Sequence, residues 1–134
     1  MSPRRPLQSE RRRCPGALVT VGMIGLLAGC ASADRPARNE WRTQWEQKQA
    51  LVPTEDEMVD GGRSYCDQLL ADLRTQLDDL KPTPDESIDP AFESWSAHLR
   101  TLAFECAPDP ARIGAQLATI STLAAEIEAA LDAR

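Results

Sequence analysis

The sequence has a single histidine and lacks the motifs by which enzymes and metal sites are usually recognised. Its 134 residues include a single histidine, His98. One imidazole without nearby cysteine or carboxylate partners does not make a metal site. The patterns G-x-S-x-G and H-E-x-x-H, the phosphate-binding loop and the dinucleotide fingerprint are all missing. The sequence therefore predicts no enzyme, no cofactor and no metal.

Long apolar runs and alternating patterns are missing as well. The uncharged stretch 17–28 has twelve residues, whereas a membrane-spanning helix needs about 20. No segment alternates polar and apolar residues with period two, and no glycine-rich turn joins β-branched runs. We therefore expect an all-α protein without a spanning helix.

The N-terminus has the parts of an export signal. Five arginines stand within the first 13 residues, and the uncharged stretch 17–28 follows them. The tetrad Leu27-Ala28-Gly29-Cys30 resembles the lipobox of bacterial lipoproteins. The resemblance implies that residues 1–29 are removed and that the nucleophilic thiol of Cys30 receives a diacylglycerol. An ordinary signal peptide, which would favour an A-x-A cleavage site, is the alternative.

The chain that remains after this cleavage is strongly acidic. It has 20 Asp and Glu residues against 10 Lys and Arg residues. This charge argues against binding to nucleic acid or to anionic lipid headgroups, so membrane contact is expected through the acyl chains on Cys30. In Gram-negative lipoproteins an Asp after the lipidated cysteine marks inner-membrane retention. Ala31 stands there, and the resemblance thus implies an outer-membrane location facing the periplasm.

Four helices are predicted after a short tether. Residues 30–38 are expected to be the lipidated cysteine and its tether, and residues 39–134 the helical domain. The expected helices cover 39–50, 64–80, 89–106, and the segment from Asp109 almost to the C-terminus.

Several local signals define the ends of these helices. Thr54 with Glu57 resembles a capping box, and the glycine pair 61–62 is expected to interrupt the helix that it starts. Asp89 and Asp109 each precede a proline, a pattern typical of an N-cap followed by the first helical turn.

The first helix contains two tryptophans four residues apart, Trp41 and Trp45. Residues at this spacing share one helix face. Their indoles are expected either to pack on the bundle or to lie at the lipid interface.

The second and third helices have complementary apolar stripes. The spacings of the two stripes are 4-3-4-3 and 3-4-3-4. If the two helices are antiparallel, each residue of one stripe faces one residue of the other, and the two residue numbers add up to 172 in every facing pair. The last of these pairs is Cys66 with Cys106, and an exported protein meets an oxidising compartment. The sequence therefore predicts a Cys66–Cys106 disulfide within a three- or four-helix bundle. The two stripes are Cys66, Leu70, Leu73, Leu77, Leu80 and Phe92, Trp95, Leu99, Leu102, Cys106.

The fourth helix has no charged residue between positions 113 and 125. Its own stripe either fills the groove of the hairpin or leaves a spare face for another chain. We name Ala115, Thr119 and Thr122, which lie off this stripe, as the candidate partner surface. The stripe consists of Ile113, Leu117, Ile120, Ala124, Ile127 and Leu131.

These features favour a lipid-anchored, non-catalytic accessory or scaffold protein that binds another envelope component or a second copy of itself. A module that binds a small ligand in a pocket between helices is an alternative. A thiol redox protein is a further alternative, although neither cysteine of the predicted pair belongs to a C-x-x-C motif.

Overall fold

The computed structural model describes residues 34–133, which form four α-helices and contain no β-strand. The expectation of an all-α bundle is confirmed. The lipobox, Cys30 and the predicted signal peptide lie outside the described residues. The helices are α1 (Arg38–Gln49), α2 (Glu55–Gln76), α3 (Asp89–Glu105) and α4 (Pro110–Asp132), and a 3-10 turn (Asp78–Leu80) follows α2.

Helices α2, α3 and α4 form a bundle in which successive helices run in opposite directions. The predicted disulfide joins Cys66 in α2 to Cys106 at the end of α3, with their Cα atoms 5.8 Å apart. At the same end of the bundle, Arg112 near the start of α4 donates a hydrogen bond to Glu105 at 2.9 Å. We call this the disulfide end. The antiparallel α2–α3 hairpin is therefore confirmed, and α4 packs against both of its helices.

Helix α1 packs at the opposite end of the bundle through its two tryptophans. Trp41 and Trp45 stack with ring centroids 5.7 Å apart, and Trp45 meets Trp95 edge-on at 4.6 Å. The indole nitrogen of Trp41 donates to the carbonyl oxygen of Leu80 at 2.8 Å, and that of Trp45 donates to Oε1 of Glu128 at 2.6 Å. Both side chains are buried, so they belong to the core of the bundle and not to a lipid interface.

The predicted stripes form most of the remaining core. Leu70 and Cys106 are partly buried, and the other eight residues of the hairpin stripes are buried. Leu69, which the stripe omitted, is only 6% exposed. Helix α2 contacts both α3 and α4, so it buries a wider arc than the single seam of a two-helix hairpin. The apolar stripe of α4 fills the groove of the α2–α3 hairpin. Leu117 and Ala124 of this stripe are partly exposed at its margin.

Helix α2 differs from the expected segment 64–80 at both ends. It begins at Glu55, immediately after the capping box of Thr54 and Glu57, and it ends at Gln76. The interruption expected at the glycine pair is a kink within the helix: Gly62 has φ 56° and ψ −149°. Glycine alone adopts this conformation readily because it has no Cβ. The pair therefore bends the helix where a break was expected.

Only one of the two N-caps predicted at an Asp-Pro pair is found in the structure. Asp109 is the N-cap of α4, and its side chain accepts a hydrogen bond from the backbone nitrogen of Ala111 at 3.0 Å. The N-cap of α3 is Ile88, so the prediction for Asp89 is wrong. Asp89 is the first helical residue, and its carboxylate instead accepts hydrogen bonds from Arg35 and Thr83.

Removal of the disulfide should weaken the fold without changing its helix content. The bond closes a loop of 40 residues, and the chain-entropy model gives such a loop about 4 kcal/mol of stabilisation. We expect the Cys66→Ser, Cys106→Ser double variant to melt about 15 °C or more below the parent, with an unchanged helical circular dichroism spectrum at low temperature. Two free thiols at these positions in protein isolated from an oxidising compartment would contradict the pairing.

Candidate functional site

The candidate partner surface lies on the outside of α4. Ala115, Thr119 and Thr122 are all exposed. The hydroxyl of Thr119 donates to the carbonyl oxygen of Ala115 at 3.3 Å, and that of Thr122 donates to the carbonyl oxygen of Ala118 at 3.1 Å. Because these hydrogen bonds stay within α4, the hydroxyls do not hold the helix to its neighbours. The surface is uncharged and exposed in a strongly acidic protein.

A groove between α3 and α4 borders this surface. It is lined by His98, Thr101, Gln116 and Thr119 and has a volume of about 190 Å³. The side-chain nitrogen of Gln116 donates to Glu105 at 2.9 Å, whereas its buried oxygen has no hydrogen-bond partner. Small-ligand pockets usually measure about 300–1,000 Å³, and this groove is of a size for a protein side chain.

A second polar cluster, which the sequence did not predict, lies where the described chain begins. Arg35 donates to the backbone oxygen of Thr83 at 3.2 Å and to its hydroxyl at 3.1 Å, and it forms an ion pair with Asp89 at 3.2 Å. Arg38 forms an ion pair with Asp85 and donates to the carbonyl oxygen of Leu131 at 3.4 Å.

We call residues 34–38 the strap and the end of the bundle that they contact the strap end. The expected tether 30–38 is therefore bound to the bundle from Arg35 onward, and the compact unit begins earlier than the expected residue 39.

Hydrogen bonds keep the carboxylates of the strap end ionised. The Thr83 hydroxyl, followed by the Arg35 guanidinium, lowers the pKa of Asp89. The Ser87 hydroxyl, followed by its backbone nitrogen and Arg38, lowers the pKa of Asp85 against a smaller opposing effect of burial. These partners stabilise the charged form of each carboxylate. The cluster therefore has the electrostatics of a structural contact, since a general acid needs a raised pKa.

The disulfide end carries a different set of exposed side chains. Glu55, Asp56 and Asp60 are exposed in the first turns of α2. Two large apolar side chains are also exposed in this part of the molecule, Phe104 at 70% and Val59 at 43%. Within residues 34–133 no group of histidine, cysteine and carboxylate residues is arranged to hold a metal ion. No helix in the described part of the chain is both long and apolar enough to cross a membrane.

Comparisons with family models, with curated proteins and with solved structures gave no significant match.

The strap should make stability depend on acid pH. Because folding lowers the pKa of Asp85 and Asp89, their contribution is present above the ordinary aspartate pKa near 4 and is lost as pH falls through the lowered values. We expect urea denaturation to show a free energy of unfolding that decreases below about pH 4, with a smaller decrease in Asp89→Asn. Glu126→Gln, an exposed change on α4, is the control. Equal pH dependence in both variants would contradict this role of Asp89.

Proposed function

We propose that the chain is a lipid-anchored protein of the bacterial envelope whose helical domain is a non-catalytic accessory or scaffold for another envelope component. The observation that carries the proposal is the tetrad Leu27-Ala28-Gly29-Cys30, which follows a basic flank and a short apolar stretch. Ala31 favours an outer-membrane location facing the periplasm. The Cys66–Cys106 bond agrees with export, because disulfides persist in oxidising compartments.

The side chains of the described residues support a non-catalytic role. A general base needs a positioned partner within hydrogen-bond distance. His98 is exposed beside Thr101, Gln116 and Thr119, and in residues 34–133 it takes part in no side-chain hydrogen bond or ion pair. Cys66 is fully buried and joined to Cys106, whereas a redox-active pair needs an accessible thiolate. These features favour the scaffold over a thiol redox protein.

The candidate partner surface is where we place the binding of the envelope component. Ala115, Thr119 and Thr122 present small uncharged side chains that another backbone can approach closely. The adjoining groove, which is lined by His98, Thr101, Gln116 and Thr119, has room for a side chain of the partner. The small volume of this groove favours a protein partner over the alternative of a small ligand.

The anchor is tested by Cys30→Ser. We expect the variant to incorporate no labelled palmitate and to remain an uncleaved or mis-sorted precursor, because the serine hydroxyl does not replace the thiolate as nucleophile. Cys14→Ser is the matched control, since it removes another cysteine of the N-terminal segment, and it should be acylated like the parent. Equal palmitate incorporation into the Cys30→Ser protein would refute the anchor.

The partner surface is tested by charged substitutions on α4. A photocrosslinking residue at Thr122 should give adducts in cells, and Ala115→Lys with Thr119→Lys should lower their yield about tenfold, which corresponds to 1.4 kcal/mol. Both positions are exposed, so the circular dichroism melt should stay that of the parent.

Ala71→Lys with Thr75→Lys is the matched control on α2, where the two exposed positions have the same spacing. We expect this variant to keep the adducts. An unchanged yield in the α4 variant, or an unfolded α4 variant, would show that this surface is not the binding site.

A further inference from the structure

We propose that the strap end of the bundle lies against the lipid bilayer, so that the disulfide end points away from it. The occupant of this surface is the phospholipid headgroup layer in which the acyl chains of Cys30 are inserted. The inference rests on the lipid anchor proposed above and adds an orientation to it. Three features of the described residues support it: the place where the chain is fixed, the length of the bundle, and the distribution of charge.

The strap fixes the chain only five residues after the proposed anchor. Arg35 is held by Asp89 and Thr83, and five fully extended residues span at most about 18 Å. Without this contact a tether reaching residue 38 would let the bundle turn freely above the membrane. With it, the membrane surface lies within a short distance of residues 81–89, which form the strap end.

The bundle is longer than this reach. Helix α3, which runs from Asp89 at the strap end to the disulfide end, has 17 residues, and at 1.5 Å per residue it is about 25 Å long. Cys106, which follows α3, is therefore separated from Asp89 and from the strap bound to it by the length of this helix. The short chain segment before Arg35 cannot bring the anchor to that end.

The charges of the two ends favour the same orientation. At the strap end three acids are paired, Asp89 with Arg35, Asp85 with Arg38, and Asp132 with Arg42 at 2.6 Å, and the exposed acids Asp34 and Glu86 form no ion pair with another described residue. At the disulfide end Glu55, Asp56 and Asp60 are exposed, and in the described part of the chain none of them forms an ion pair. An anionic bilayer surface repels unpaired carboxylates. The strap end, where most of the acids are paired, is thus the end that tolerates contact with headgroups better.

This orientation also presents the candidate partner surface to the periplasm. Ala115, Thr119 and Thr122 lie in the first half of α4 (Pro110–Asp132), which begins at the disulfide end. A partner would therefore reach them well above the headgroup layer.

Energy transfer to a labelled bilayer tests the orientation. Full-length lipidated protein is placed in vesicles of phosphatidylethanolamine and phosphatidylglycerol that contain an acceptor-labelled lipid, and a donor dye is attached at Glu86→Cys or at Asp60→Cys. Both changes replace one exposed acid, Glu86 at the strap end and Asp60 in α2 near the disulfide end. We expect the donor at position 86 to lie about 20 Å or more closer to the acceptor layer than the donor at position 60, as the rise of α3 between the two ends requires.

A flexible ten-residue Gly-Ser insertion after Ala31 is the control. It lengthens the reach of the anchor by about 30 Å, so it should make the transfer from the two positions similar. With the original chain, equal transfer from both positions, or greater transfer from position 60, would overturn the orientation and leave the anchor intact. Protein that does not float with the vesicles and carries no acyl chain on Cys30 by mass spectrometry would overturn the anchor and the orientation together.

Discussion

The covalent bond between Cys66 and Cys106 locks the register of the α2–α3 hairpin, on which the packing of the bundle depends. Around it, the sulfur of Cys106 lies 3.5 Å from the carbonyl oxygen of Gly62, and Arg63 donates to the carbonyl oxygen of Phe104 at 3.2 Å. Cys106 itself has φ 46°, a left-handed conformation that costs a non-glycine residue about 1–2 kcal/mol. Such strain persists where the surroundings hold it. The cross-link therefore joins the kink of α2 and the turn into α4 in one layer.

The register of the hairpin could be predicted because it follows from a single rule. Two stripes with reversed 4-3 spacing match at one offset, and this offset brings the two cysteines together. The details of α2 could not be predicted in this way. Whether Leu69 or Leu70 is more buried depends on a second neighbour, α4, which the pattern of α2 does not specify. Whether a glycine pair ends a helix or bends it depends on the packing of the segment before it, here through the buried side chain of Met58.

Of the two candidate sites, the surface of α4 could be predicted from the sequence and the strap could not. The exposed surface of α4 could be expected from its uncharged composition, because residues off an apolar stripe face outward. The strap could not, since Arg35 and Asp89 are 54 residues apart and residues 34–38 have the composition of a tether. The two Asp-Pro signals illustrate the difference. Asp109 caps its helix, whereas Asp89 has the Arg35 guanidinium and the Thr83 hydroxyl as competing donors and binds them instead.

Both the strap and α1 hold the N-terminal segment on the bundle, the strap through exposed ion pairs and α1 through buried tryptophans. Ion pairs as exposed as those of Arg35 and Arg38 contribute about 0–1 kcal/mol each. A helix of twelve residues is marginal by itself, and the two buried residues of α1 are Trp41 and Trp45. Truncation of one buried tryptophan typically costs about 3–5 kcal/mol. The tryptophans therefore keep the segment attached, and the arginines determine at which edge of the bundle the chain leaves towards Cys30. If Cys30 carries the proposed anchor, a pull on it would be transmitted through α1 to Phe92 and Trp95 of α3, which the two tryptophans contact.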